Sequence, residues 1–169
     1  IGEPTPYHSK NSYFGQIDTA GFPKDTFYLF KSEWAGKNAE PFVHLLPYWD
    51  WNEGQLIDVK AYSNGAAVEL FFNGKSLGYQ KINHIDGKEP FGRWQVEYHK
   101  GEITAVAYDE QGSEIARETK RSFEDPSQIV LEPETGDTGD LFFVDIMVAD
   151  KNGTLVENAR NYITVNVAG

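Results

Sequence analysis

The residues of this chain best suited to recognising a ligand are Tyr48-Trp49-Asp50-Trp51-Asn52. In an extended segment, side chains at i and i+2 point to one side. Trp49 and Trp51 would then form a platform, with Tyr48 beside it. Planar rings stack on the C–H faces of a sugar, while Asp50 and Asn52 can bond its hydroxyls. The same residue types also seal contacts between protein surfaces, where Trp and Tyr are enriched. Both readings stay open at this point. Trp94 lies within an alternating segment and reads as core.

Other chemistries find less support. Cleaving a glycosidic bond usually needs two carboxylates facing each other at a fixed separation. The chain has 26 acidic residues, most of them in turns or at outward strand positions, as solvated charge. Glu3 stands apart, because Glu3-Pro4-Thr5-Pro6-Tyr7 is a proline-rich loop that can face a site. A purely structural role for that loop is the rival reading. His8, His44, His84 and His99 show no metal-binding or catalytic spacing, and His44, in an apolar strand, reads as a half-buried, satisfied side chain. There is no G-x-S-x-G elbow and no cysteine. Asp150-Lys151-Asn152-Gly153 resembles the opening of a calcium loop, lacks the rest of its ligands, and reads as a hairpin turn. The glycines are dispersed one per turn, with no phosphate cradle among them. No metal and no cofactor is expected.

The formal net charge is -11, with a pI near 4.7. Such a chain repels phosphate backbones and anionic lipid, so neither nucleic acid nor a membrane surface is an expected partner. A neutral saccharide is indifferent to this charge. No apolar run approaches the roughly 18–20 residues that span a bilayer. The opening residues have neither the basic nor the apolar region of a secretion signal. The chain starts at Ile1, and Met147 is its one methionine. It reads as a piece of a longer polypeptide.

Three stretches follow from the patterning. In residues 1–40, Pro23 suits a first helical turn, and Phe27, Phe30 and Trp34 recur at helical spacing. One helix over about 23–34 is predicted, with an apolar face that it cannot bury alone. From 41 to 123 the pattern is that of short strands: 42–46, 56–62, 68–72, 75–79, 93–98, 102–108 and 114–119. Asn73-Gly74 between two of them is a tight-hairpin signal. Seven strands with closely spaced turns predict an immunoglobulin-like antiparallel β-sandwich. A boundary near Glu124-Asp125-Pro126 opens a third stretch, 124–169, with strands at 128–133, 141–149 and 161–167. This resembles half of a second sandwich.

Several words in the sequence carry a family resemblance. They are Gly2-Glu3-Pro4-Thr5-Pro6-Tyr7, the run from Tyr13 to Asp25, Tyr28-Leu29-Phe30-Lys31-Ser32-Glu33-Trp34, His44-Leu45-Leu46-Pro47-Tyr48-Trp49-Asp50-Trp51, and the run from Val68 to Gly78. Through them the chain resembles glycoside hydrolase family 2, in its β-galactosidase branch. The stretch Val148–Gly153 is similar to bacterial immunoglobulin-like domains.

The resemblance implies a mainly β fold, preceded by a short loop–helix remnant of a (β/α)8 barrel in residues 1–40. Both catalytic glutamates would lie upstream of Ile1. No catalytic residue carries over, and this portion is expected not to be an enzyme. The parent would be a retaining hydrolase of terminal β-galactosides, β-glucuronidase and β-mannosidase being sister activities. Its barrel would be the main partner of this portion, which buttresses it. The alternative is a carbohydrate-binding module for a polysaccharide or oligosaccharide, using Glu3, Tyr48, Trp49 and Trp51. Buttressing predicts that Trp49 and Trp51 pack on the barrel or its helix, whereas binding predicts exposed, coplanar rings. Enzymes of this type are often exported to the bacterial periplasm or surface.

Overall fold

The computed structural model describes residues 14–18, 21–35, 39–85, 88–134 and 143–166. One helix, α1 (Asp25–Trp34), precedes seven strands: β1 (Val43–Leu46), β2 (Leu56–Ser63), β3 (Ala67–Phe72), β4 (Lys75–Lys81), β5 (Gly92–Glu97), β6 (Glu102–Tyr108) and β7 (Glu114–Arg121). They form two antiparallel sheets, β1-β2-β5 and β4-β3-β6-β7. Period-two alternation sends one row of side chains from each sheet inward. Ile57, Val59 and Ala61 of β2 meet Val68 and Leu70 of β3 and Ile103 and Ala105 of β6 in the core between them. The fold is therefore mainly β, with a sandwich at its centre.

Local chemistry sets the turns. Asn73 and Gly74 take φ of 47° and 78°, the paired positive angles whose twist matches that of the flanking strands. Beyond this turn the β3–β4 ladder slips. Leu70 lies opposite Gly78 and Phe71 opposite Ser76, which leaves Leu77 as the extra residue of a β-bulge. β4 and β5 are each the edge of their sheet. Gln80 ties these edges together: its amide donates to Arg93 O (2.7 Å), and its carbonyl accepts from Arg93 N–H (3.0 Å).

One turn chemistry occurs twice. In Asp109–Ser113 and again in Asp150–Thr154, the aspartate N–H donates to the carbonyl four residues on. Its Oδ1 accepts from the N–H groups two and four residues on. Asp150 Oδ2 also accepts from Glu124 N–H (3.0 Å). The segment at Asp150 is thus a hairpin turn whose carboxylate is taken up by backbone donors.

After the sandwich, β8 (Gln128–Pro133) and β9 (Val144–Ala149) pair as a two-stranded ribbon. By register Leu131 faces Ile146 and Pro133 faces Val144, and Ile129, Leu131, Val144 and Ile146 are exposed. The strand expected at 161–167 is not found: residues 161–166 have no ladder partner among the described residues, and Tyr162 is 95% exposed. Alternation makes a strand only where a neighbour takes up its backbone groups.

Candidate functional site

The junction of α1 with the sandwich is the most elaborated polar site. The Tyr28 ring stacks on His44 of β1, with centroids 3.8 Å apart and planes 10° apart. His44 Nε2 meets Asp25 Oδ1 at 2.8 Å, and its Nδ1 lies 3.7 Å from Glu118 Oε2 on β7. The bond from His44 holds the Asp25 carboxyl below its ordinary value. Burial pushes Glu118 up, although its carboxylate accepts from Leu45 N–H (2.8 Å). Lys31 sits over the Phe42 ring at 4.6 Å.

A second attachment lies near the C-terminal end of the helix. Glu33 Oε1 meets His84 Nδ1 at 2.7 Å, while His84 Nε2 bonds Gly65 O at 3.0 Å. A carbonyl can only accept, so Nε2 carries a proton. Exposed ion pairs contribute about 0–1 kcal/mol each, so the helix is held by several weak attachments. Its other face is open. The Phe30 and Trp34 rings lie against each other, with centroids 4.6 Å and planes 53° apart, and Trp34 is 75% exposed. Phe14, Ile17 and Phe22, upstream, are exposed too.

The aromatic residues singled out in the sequence separate. Trp49 is fully buried in the sandwich core, and its Nε1 donates to His99 O (3.2 Å). It has no ring face to offer a sugar, and it packs on Phe72 and Tyr98 rather than on α1. The alternation that put it beside Trp51 holds only for extended backbone. The segment here is no strand, and Trp51 Nε1 turns back to donate to Tyr48 O (2.9 Å). Tyr48 and Trp51 instead stack on each other, with centroids 4.7 Å and planes 6° apart. Glu3 lies outside the described residues. The junction residues Asp25, Tyr28 and Glu33 were missed as functional, because nothing local marks a partner 19 to 51 residues away.

A cleft of about 880 Å³ separates the sandwich from the ribbon, lined by Asp50, Lys100, Phe123, Glu124, Lys151 and Arg160 among others. Tyr48 borders it through Phe123 (6.1 Å). Two of its carboxylates are engaged: Asp50 accepts from the Tyr98 hydroxyl (3.2 Å), and Glu124 pairs with Lys151 (2.8 Å) and Lys100 (3.5 Å). Lys151 holds Glu124 below its ordinary value, the opposite of what a general acid needs. Among the described residues no three histidine, aspartate or glutamate side chains converge to hold a metal ion.

A protein-family model described as a domain of unknown function, DUF4982, matches residues 54–116. The chain is 40% identical over 176 aligned residues to the β-galactosidase BoGH2A of Bacteroides ovatus, covering 100% of this chain and 20% of that protein. The crystal structure of a β-glycosidase from Bacteroides vulgatus matches with a TM-score of 0.73 and 34% identity, over 84% of this chain and 18% of that one. The structure of a β-glucuronidase from glycoside hydrolase family 2 matches with a TM-score of 0.68 and 26% identity, over 83% of this chain and 15% of that one. The chain thus spans a fifth or less of the length of these relatives. The family words, the sandwich and these likenesses agree: the chain matches a C-terminal portion of glycoside hydrolase family 2 proteins.

Proposed function

We propose that this portion is a non-catalytic scaffold that buttresses the catalytic barrel of a retaining glycosidase of the β-galactosidase type. In this reading α1 and the segment before it are the last pieces of the barrel, and the sandwich braces them. The observation that carries it is the two-sided helix. Tyr28, Lys31, Asp25 and Glu33 face the sandwich, while Phe30 and Trp34 stay open for another surface. A helix of 10 residues is marginal alone, and weak attachments on one side do not suffice to fix it. Both catalytic carboxylates would come from upstream.

The test is made in the full-length parent. Phe30→Asp with Trp34→Asp should lower its Tm by several degrees and cut soluble yield, while the KM of the folded fraction stays the same. An unchanged Tm would overturn the buttress. A second reading, sugar binding, is favoured by the parallel Tyr48–Trp51 pair beside the cleft. Affinity gel electrophoresis in galactan, xylan, pectin and mucin gels, beside Tyr48→Ala and Trp51→Ala, decides it. Retardation that both variants lose would establish binding there.

A further inference from the structure

Asparagine followed by glycine occurs three times, at Asn64-Gly65, Asn73-Gly74 and Asn152-Gly153. Such a pair can react with itself. The glycine nitrogen bonds to the asparagine side-chain carbonyl carbon, the bond to Nδ2 breaks, and the glycine N–H proton leaves with that nitrogen as ammonia. Water then opens the resulting succinimide ring to aspartate or isoaspartate. The sum is amide and water to carboxylic acid and ammonia, with no oxidant or reductant. Glycine favours the step because no side chain crowds its nitrogen or restricts its backbone. The reaction needs an asparagine side chain able to swing onto that nitrogen, and room for the ring.

The fold withholds both conditions at two of the pairs. Asn64 Oδ1 accepts from Phe42 N–H (3.1 Å), and its Nδ2 donates to Glu40 O (3.3 Å). Gly65 is buried, its N–H donates to Ser63 Oγ (3.0 Å), and a Cβ there would fall 2.9 Å from Tyr108 O. Asn73 Oδ1 accepts from Glu102 N–H (2.9 Å), and the side chain lies so close over Gly101 that a Cβ there would come within 2.5 Å of the same oxygen. Asn73 N–H also donates to Glu102 O (2.9 Å).

Asn152-Gly153 is held differently. Both residues are exposed at the tip of the Asp150–Thr154 turn. Among the described residues, no backbone N–H takes up the Asn152 side-chain oxygen as one does at Asn64 and Asn73, and its amide reaches only the Asp150 carboxylate. A Cβ on Gly153 would meet nothing nearer than Gln128 Nε2 at 4.0 Å, so the ring has room. One turn bond, Gly153 N–H to Asp150 O (3.0 Å), must open for the attack, and exposed loop tips open at little cost.

We propose that Asn152 is a site of spontaneous deamidation, the pair of the three that the folded chain leaves reactive, and that its conversion loosens the ribbon from the sandwich. Asp150 is 1% exposed. Its Oδ1 holds the N–H groups of Asn152 and Thr154, and its Oδ2 holds that of Glu124, where the chain leaves the sandwich for the ribbon. Isoaspartate adds a methylene to the backbone of a turn closed by Asp150 N–H to Thr154 O (2.8 Å) and by Thr154 N–H to Asp150 Oδ1 (3.0 Å). Both closures cannot survive the added length, and the new carboxylate stands near one that is already buried.

The test incubates the full chain at mildly alkaline pH and body temperature, natively and in urea, and follows each pair by peptide mapping with fragmentation. In urea the three asparagines should convert at similar rates. In the native chain Asn152 should convert at least tenfold faster than Asn64 and Asn73, mostly to isoaspartate. The Glu124 and Thr154 amides should lose hydrogen-exchange protection in step with it. Asn152→Gln, which closes a five-membered ring no longer, should keep that protection through the same incubation. Comparable conversion at the three native sites would overturn the proposal. So would Asn73 leading, or an unconverted Asn152 after a time that converts the urea sample. A Glu124 amide still protected in the converted chain, or exposed equally in Asn152→Gln, would overturn the link to the ribbon.

Discussion

Trp49 and Trp51 are two residues apart and do different work. Trp49 fills the core between the sheets, so Trp49→Ala should cost about 3–5 kcal/mol. Trp51 is half-buried against Tyr48, and Trp51→Ala should cost roughly 1 kcal/mol. Chemical denaturation of the two variants checks the ranking; equal losses would contradict the buried position of Trp49. A loss of sugar binding in Trp49→Ala would therefore report unfolding, and Trp51→Ala is the cleaner probe. Asp150 carries the second prediction at this scale. Backbone N–H donors, that of Glu124 foremost, hold its carboxyl below the ordinary value. A depressed carboxyl adds stability above its unfolded value, about pH 4, and loses it as pH falls through the folded value. Asp150→Asn turns an amide donor toward one of these N–H groups. It should lower Tm at neutral pH and flatten the acid side of the Tm–pH curve. A curve as steep as the parent's would show that other carboxyls dominate the acid response.

At the scale of elements, α1 depends on attachments far away in the chain. His84→Ala removes the ring that joins Glu33 to Gly65 O, at a cost of about 0.5–1.5 kcal/mol for the lost bonds. Hydrogen exchange of the α1 amides should speed up severalfold while the β3 and β6 amides keep their protection. Equal exchange in α1 would mean that the Tyr28–His44 stack alone holds the helix. The sequence announced this helix, the Asn73-Gly74 hairpin and all seven sandwich strands, because each rests on local periodicity or turn chemistry. It did not announce the docking. The apolar row Phe27, Phe30 and Trp34 marks a face to be covered, whereas the face that meets the sandwich is mixed, with Tyr28, Lys31 and two carboxylates. The pattern at 161–167 misled for a related reason. Alternation records which side of a strand is apolar, not whether a neighbouring strand is present to pair with it. In the candidate site, the rings of Tyr48, Trp49 and Trp51 were legible as unusual, but their separation into core and surface depended on a non-extended backbone. The seam between β4 and β5 was illegible, since nothing local says that these consecutive strands are edges of different sheets.

On the scale of the whole molecule, the sandwich leaves two strand edges side by side, and Gln80 spans them. Its side-chain amide occupies the N–H and C=O of Arg93, as a neighbouring strand would. An open edge is a template on which another chain can add, so this one side chain acts as a guard against self-association. Gln80→Ala should leave the monomer's Tm nearly unchanged and yet shorten the lag before thioflavin-positive fibrils form. The effect should grow with protein concentration. Identical lag times would assign that protection to the twist of the bulged strand. At this seam, in this view, a single carboxamide stands in for the missing neighbour strand.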